Sequence, residues 1–250
     1  MALELGLDGA VVLVTGGVRG VGLGITRAFR QAGARVVTCA RRTPAEPVSD
    51  AFFPCDVRDP EAVGRLIDQV VAEFGRLDVL VNNAGGAPFA DTATASPRFH
   101  DKVVALNLLA PLSVACAANA VMQEQDSGGA IVNVSSVSAL RPSPGTASYG
   151  AAKAGLDNLT TTLAVEWAPK VRVNALDVGM VRTDITETYG DVAAIGATVP
   201  LGRLAEPEEV GACAVFLASP LASYVSGAQL VVHGGGEAPA FLGAMGQERK

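Results

Sequence analysis

The chain has 250 residues, of which 49% are hydrophobic and 18% charged, enough apolar sequence for a large core and too much for a disordered or fibrous chain. Its net charge of -6 and pI near 5.0 exclude the basic footprint that nucleic acid requires, and no lysine or arginine cluster offsets them. Cys39, Cys55, Cys116 and Cys213 lie far apart without a CxxC pair or neighbouring histidines, so neither a zinc site nor a disulfide framework is indicated, and a reducing cytoplasm fits best.

The amino terminus, MALELGLDGA, lacks a basic start and a continuous apolar stretch, and the longest apolar tract, Leu108 to Met122, is broken by Pro111, Ser113 and Asn119. Secretion and membrane spanning are both disfavoured. Short β-branched runs predict strands at Ala10 to Thr15, Arg35 to Ala40, Ala51 to Cys55, Val79 to Asn82, Ala130 to Ser135, Val171 to Leu176 and Gln229 to His233. Most are apolar at consecutive positions, as parallel strands covered on both faces must be. Between them, helices are predicted at Val21 to Gln31, Pro60 to Phe74, Pro97 to Met122, Ser148 to Trp167 and Pro207 to Leu217. The alternation implies one α/β domain, a doubly wound Rossmann-type sheet of about seven parallel strands with helices on both faces. RRTPAEPVSD, between the second and third strands, holds two prolines and predicts a turn or a single helical turn. The tail HGGGEAPAFLGAMGQERK reads as a loose terminus or a subunit contact.

After the first strand comes TGGVRGVG, and a helix begins at once. Glycine at 16, 20 and 22 permits a sharp turn, brings backbone N–H groups toward a pyrophosphate and lets the helix pack on the strand, while the helix dipole favours the phosphate charge. Arg19 and Val21 complete the turn. The TGxxxGxG spacing resembles the short-chain dehydrogenases and reductases, not the GxGxxG of other Rossmann enzymes.

In SYGAAKAG, Tyr149 and Lys153 stand four apart on a predicted helix and so share one face. A phenol with a pKa of about 10 is a poor acid or base at neutral pH; a neighbouring ammonium lowers that value and makes proton transfer feasible. Ser136 ends the fifth strand, where its hydroxyl could bond a substrate oxygen as charge develops on it. Ser135 is the rival, but a one-residue offset along a strand points it to the opposite side. Asn107 is a polar side chain inside the apolar helix KVVALNLLAPL and needs a partner if buried. In the family that this chain resembles, the matching Tyr is the general acid or base, Ser positions the carbonyl, Lys binds the nicotinamide ribose and lowers the Tyr pKa, and Asn holds a water in the proton relay. Tyr149, Ser136, Lys153 and Asn107 fill those four positions.

The resemblance extends from Leu7 to Gly236. NNAG, with Asn83, Ala84 and Gly85, follows the fourth strand, where the family stabilises its sheet and passes the cofactor; Asp56 and Val57 match an adenine-contacting pair. An NAD-binding turn usually has an acid at the end of the second strand, but Ala40 stands there, followed by Arg41 and Arg42, with Arg19 in the glycine turn. These cations welcome a 2′-phosphate, so NADP(H) is expected with NAD(H) still open. After the sixth strand, LDVGMVRTD puts Val178 where the family has proline, keeps Gly179, and retains Thr183 at the position that contacts the nicotinamide carboxamide. His233 replaces the family's Asp. His100 and His233 read as structural, and no metal site is indicated.

Substrate would lie against Tyr149, bounded by Gly86 to Ser96, Val137 to Thr146, and Met180 to Pro200, the last a candidate lid. Phe89, Leu140, Met180 and Tyr189 point to an apolar ketone or secondary alcohol; 3-oxoacyl thioesters, steroids, sugars and xenobiotic ketones all stay open. A homo-oligomer, commonly a tetramer, is implied through the helices Pro97 to Met122 and Ser148 to Trp167. The rival readings are a catalytically silent dinucleotide-binding regulatory or scaffold protein, and a dehydratase or epimerase of the extended branch, which the chain length disfavours.

Overall fold

A computed structural model of the chain describes residues 4–237. It contains strands β1 (Val11–Thr15), β2 (Arg35–Ala40), β3 (Ala51–Pro54), β4 (Val79–Asn82), β5 (Gly129–Ser136), β6 (Val171–Val178) and β7 (Gln229–Val232). They form one parallel sheet in the order β3-β2-β1-β4-β5-β6-β7. The chain leaves β1 toward β2 on one side and resumes at β4 on the other. This strand-order reversal opens a crevice at the carboxyl ends, the usual ligand position in such sheets.

The helices are α1 (Gly20–Gln31), α2 (Pro60–Phe74), α3 (Pro97–Val104), α4 (Ala110–Glu124), α5 (Ala147–Glu166), α6 (Val192–Thr198) and α7 (Pro207–Ala218). Their ends carry the expected chemistry. In α2, Asp59 accepts from the Glu61 N–H, Pro60 opens the first turn, and Gly75 closes the helix in the left-handed conformation. Alternation along each strand then builds two cores. Val11, Leu13, Val37, Leu80 and Ile131 face α2, α4 and α5, whereas Val12, Val14, Val36, Val81 and Val132 face α1 and α7. The second core includes the fully buried Ile25 and Phe29 of α1. There α1 and α7 touch backbone to backbone: a Cβ on Gly24 would lie 2.3 Å from the Pro207 carbonyl carbon, and one on Gly211 2.7 Å from the Gly24 oxygen.

The structure refines several expectations. The predicted Pro97 to Met122 helix is continuous to Glu124 but carries a π turn at Ala105–Leu109, centred on Asn107. By length and composition this helix could cross a membrane, yet Ala110, Val114, Ala118 and Met122 are buried in the first core. Residues 41–50 contain no helix; Asp50 Oδ2 instead accepts from the Val36 N–H at 2.8 Å, and the Thr38 and Ser49 hydroxyls bond at 2.7 Å. The Met180 to Pro200 segment contains a 3₁₀ turn (Thr186–Tyr189) and α6, the latter capped by Asp191, which accepts from the N–H groups of Ala193 and Ala194. The expected tail beyond Glu237 lies outside the described residues.

Candidate active site

The groups singled out from the sequence converge at the carboxyl ends of β1, β4, β5 and β6. β1 ends in Thr15, whose Oγ1 accepts from the N–H groups of Asn83 and Ala84, each at 3.0 Å; Asn83 Nδ2 donates back to the carbonyls of Thr15 at 2.9 Å and Gly16 at 3.2 Å. The NNAG segment is thereby fastened to the start of the glycine turn. The turn is tight enough that a Cβ on Gly22 would fall 2.3 Å from the Gly16 oxygen and 2.4 Å from Asn83 Nδ2. Thr183 approaches from the other side: its Cγ2 is 3.5 Å from where a Gly20 Cβ would stand.

Asn107, buried in the π turn, accepts from the Gly86 N–H at 2.8 Å and donates to the carbonyls of Gly86 at 3.0 Å and Val103 at 2.9 Å. The extra residue of a π turn, a feature frequent at functional sites, aims this amide at the end of β4. A Cβ on Gly85 would lie 2.8 Å from Asn107 Oδ1 and 3.5 Å from Lys153 Nζ, so the cofactor-side loop, the amide and the lysine meet at one point.

On α5, Lys153 Nζ lies 5.7 Å from the centre of the Tyr149 ring. Ser136 lies beside the Tyr149 hydroxyl and favours its ionised form, and its own Oγ accepts from the Ser138 N–H at 3.2 Å. Ser135, one residue earlier, turns to the α5 side and donates to the Lys153 carbonyl at 3.4 Å. One sequence expectation is corrected. The Tyr149 pKa is raised, not lowered: burial pushes it up, only partly countered by Ser136, with Tyr189 adding to the rise, while the Lys153 ammonium donates to the Val134 carbonyl at 2.7 Å. Burial also brings Lys153 down from 10.5 to about 8, against the pull of Asp157 and Asp177.

Farther out, Arg19, Arg41 and Arg42 are exposed, and none has a side-chain hydrogen bond or ion pair among the described residues. Asp56 is engaged by Arg58, with Oδ2 2.5 Å from Nη2, and feels the charge of Arg41; both cations hold its carboxyl below the usual range. Val57 is buried. Gly179 donates to the Val232 carbonyl at 2.9 Å, so the loop after β6 keeps its tie to β7 with Val178 in place of proline.

A cavity of about 220 Å³ adjoins Ser136 along the chain, lined by Val137, Leu140, Gly179, Met180, Val199 and His233. Its rim carries the Arg141–Glu237 ion pair. Two of the predicted substrate segments contribute, whereas Gly86 to Ser96 does not; Phe89 from that segment is exposed and its ring covers Gly145. Sequence reasoning gave His233 no chemistry and missed Glu237, because their placement depends on β7 returning beside β6. No cluster that could hold a metal occurs among the described residues. The glycine cradle, close-packed on Asn83, together with the unpaired arginines, fits a dinucleotide.

Residues 16–237 match a family model described as enoyl-(acyl carrier protein) reductase. The chain belongs to the short-chain dehydrogenase/reductase family, NAD(P)(H)-binding oxidoreductases that act on CH–OH and C=O groups of small molecules. It is 37% identical over 243 residues to D-threitol dehydrogenase of Mycolicibacterium smegmatis, covering 92% of this chain and 93% of that protein. To a 3-oxoacyl-(acyl-carrier-protein) reductase of Thermotoga maritima it is 35% identical over 242 residues, covering 92% and 98%. The ligand-free aldohexose dehydrogenase of Thermoplasma acidophilum superimposes with a TM-score of 0.88 at 30% identity, covering 93% of this chain and 96% of that one.

Proposed function

We propose that the chain is an NADP(H)-dependent reductase or dehydrogenase that moves hydride between the nicotinamide and a largely apolar, uncharged ketone or secondary alcohol, with 3-oxoacyl-type compounds among the candidates. The observation that carries this reading is Tyr149 placed beside Ser136 and one helical turn from buried Lys153, at the Gly85 end of the glycine-lined crevice. The bound nicotinamide supplies or accepts the hydride. Ser136 holds the substrate oxygen, and Tyr149 transfers its proton at the phenolic oxygen. Because burial keeps the phenol protonated at neutral pH, the site is poised in the acid form that carbonyl reduction needs. Asn107 fixes the Gly86 backbone next to Lys153. The N–H groups of the turn Gly16, Gly20, Val21 and Gly22 would hold the pyrophosphate; Ala84, Gly85, Gly179 and Thr183 would border the nicotinamide end, and Asp56 and Val57 the adenine. Arg19 and Arg41, cationic and without a side-chain hydrogen bond or ion pair among the described residues, support a 2′-phosphate.

The test is NADPH consumption with a panel of ketones, comparing the native protein with Tyr149→Phe. Positioned proton transfer is worth about 10²- to 10⁴-fold, so the variant should bind NADPH normally and lose turnover by that factor. Tight cofactor binding without tyrosine-dependent turnover would instead mark a silent dinucleotide-binding protein. The same reading makes the chain a homotetramer through the helix from Pro97 to Met122 and α5, where Leu109 and Val165 expose apolar side chains; sedimentation velocity showing only monomer would reject that assembly.

A further inference from the structure

Behind the phenol, the layer between α5 and the sheet is polar. Its first part is fully matched: Asn82 Nδ2 donates to Asn133 Oδ1 at 3.0 Å, and Asn133 Nδ2 to Thr160 Oγ1 at 2.9 Å. Two residues farther along the same face of β5 is Ser135, with Asp177 directly beside it in β6. Facing them from α5 are Lys153 and, one turn on, Asp157. Asp177 is wholly buried, Lys153 is 3% exposed and Asp157 9%. Yet neither Asp177 carboxyl oxygen nor Asp157 Oδ1 has a partner at hydrogen-bond geometry; the nearby Ser135 hydroxyl, which donates to the Lys153 carbonyl at 3.4 Å, only partly offsets their desolvation. Other groups near the lysine bring no full charge: Tyr149 on α5, the hydroxyls of Ser135 and Ser136 on β5, the Asn107 amide, and Gln229 of β7, which bonds the Asp157 carbonyl. His100 of α3 is tied to Ser148 at the start of α5.

Two neighbouring carboxylates in a dry layer cannot both ionise, whereas one proton between them leaves a single negative charge opposite the ammonium. We propose that Asp157 and Asp177 act as a carboxyl pair carrying one shared proton and one negative charge, and that this charge holds Lys153 as an ammonium beside Tyr149. The two are positioning residues; they act through Lys153 and touch neither cofactor nor substrate. The titration directions agree: desolvation raises Asp157 from 3.8 to about 7 and also raises Asp177, while both carboxyls oppose the fall of Lys153. Only the effect on turnover rests on the function proposed above.

The experiment compares native protein with Asp157→Asn, Asp177→Asn and the double variant. Lys153 is followed by NMR with side-chain-labelled lysine, a simple spectrum because the chain has four lysines, alongside the pH profile of kcat/KM for ketone reduction by NADPH. Either single variant should leave the Lys153 titration nearly in place, since the remaining carboxyl takes the charge. The double variant should lower it by about one unit, a loss of ammonium approaching tenfold at pH values above the native midpoint, and move the basic limb of the profile with it. An unmoved lysine in the double variant overturns the proposal, as do single variants that each shift it as far as the double. Should the double variant not fold, carbon-13 titration of the aspartates in native protein decides: one carboxyl of the pair should stay protonated near pH 6, and two ionised carboxylates there would overturn the pair. If native protein shows no Tyr149-dependent turnover, the functional reading fails while the lysine titration still judges the pair.

Discussion

Two glycine-to-alanine substitutions should have opposite effects. At Gly22 the added methyl would sit 2.3 Å from the Gly16 carbonyl oxygen and 2.4 Å from Asn83 Nδ2. Ordinary carbon–oxygen contacts begin at about 3.3 Å, so the turn must open by about 1 Å. The neighbours are a backbone carbonyl and an amide already fixed by hydrogen bonds to the carbonyls of Thr15 and Gly16, and neither yields cheaply. Overpacking of this kind costs about 1–3 kcal/mol. At Gly64, in the middle of α2, the same methyl meets nothing within 4 Å, and replacing a helical glycine there should gain about 0.5–1 kcal/mol. Each kcal/mol moves the unfolding temperature by about 2–4 °C in a chain of this size. Thermal unfolding with and without NADPH reads both effects. Gly64→Ala should unfold above native and keep the cofactor-induced rise; Gly22→Ala should unfold below native and lose most of that rise, because the N–H groups that would hold the phosphate are displaced. A Gly22→Ala protein with native unfolding temperature and a native NADPH shift would refute the reasoning.

Arg41→Asp should weaken NADPH by about 10- to 100-fold, the worth of a charge-assisted hydrogen bond, while changing NADH much less; equal losses in fluorescence titrations of the two cofactors would defeat the assignment. The raised pKa of Asp157 sets a pH dependence of stability. Because the folded state retains its proton up to about 7 against 3.8 in the open chain, its contribution is complete below about pH 4 and drains away as pH climbs to about 7. Urea unfolding at about pH 5 and about pH 7 should therefore show native protein losing stability relative to Asp157→Asn over that interval, and parallel behaviour of the two would contradict the assigned proton.

The strands were legible because parallel, doubly covered segments are continuously apolar, and observed boundaries depart from expectation by no more than two residues. β6 runs on to Val178, where it pairs with Ser136 and Val232. The order TGGVRGVG, NNAG, Ser136, Tyr149, Lys153 was enough to gather the site, since the first three lie at or just beyond strand ends and the last two share one face near the start of α5. What stayed hidden depends on contacts between distant segments. The π turn left one trace, an asparagine among leucines. α6 is short, with only Asp191 as a start signal and no amphipathic period. Lysine and tyrosine at helical spacing predicted a lowered phenol, but spacing does not reveal that Val134 offers a carbonyl to the ammonium, nor that burial dominates. The Asp157–Asp177 pair was invisible for the same reason: one residue reads as an ordinary helical partner of Lys153, the other as an oddity within VRVNALDV.

The seating of α1 on α7 has a consequence for biogenesis. The phosphate-holding turn is translated long before α7, but the helix behind it rests, through Gly24, on Pro207 and Gly211. A nascent chain still lacking α7 leaves the side of α1 bearing Ile25 and Phe29 incompletely covered, a surface suited to chaperones and prone to self-association. Cofactor rescue would thus reach only chains that include α7, and premature termination ahead of Pro207 would yield fragments that no supply of dinucleotide can save.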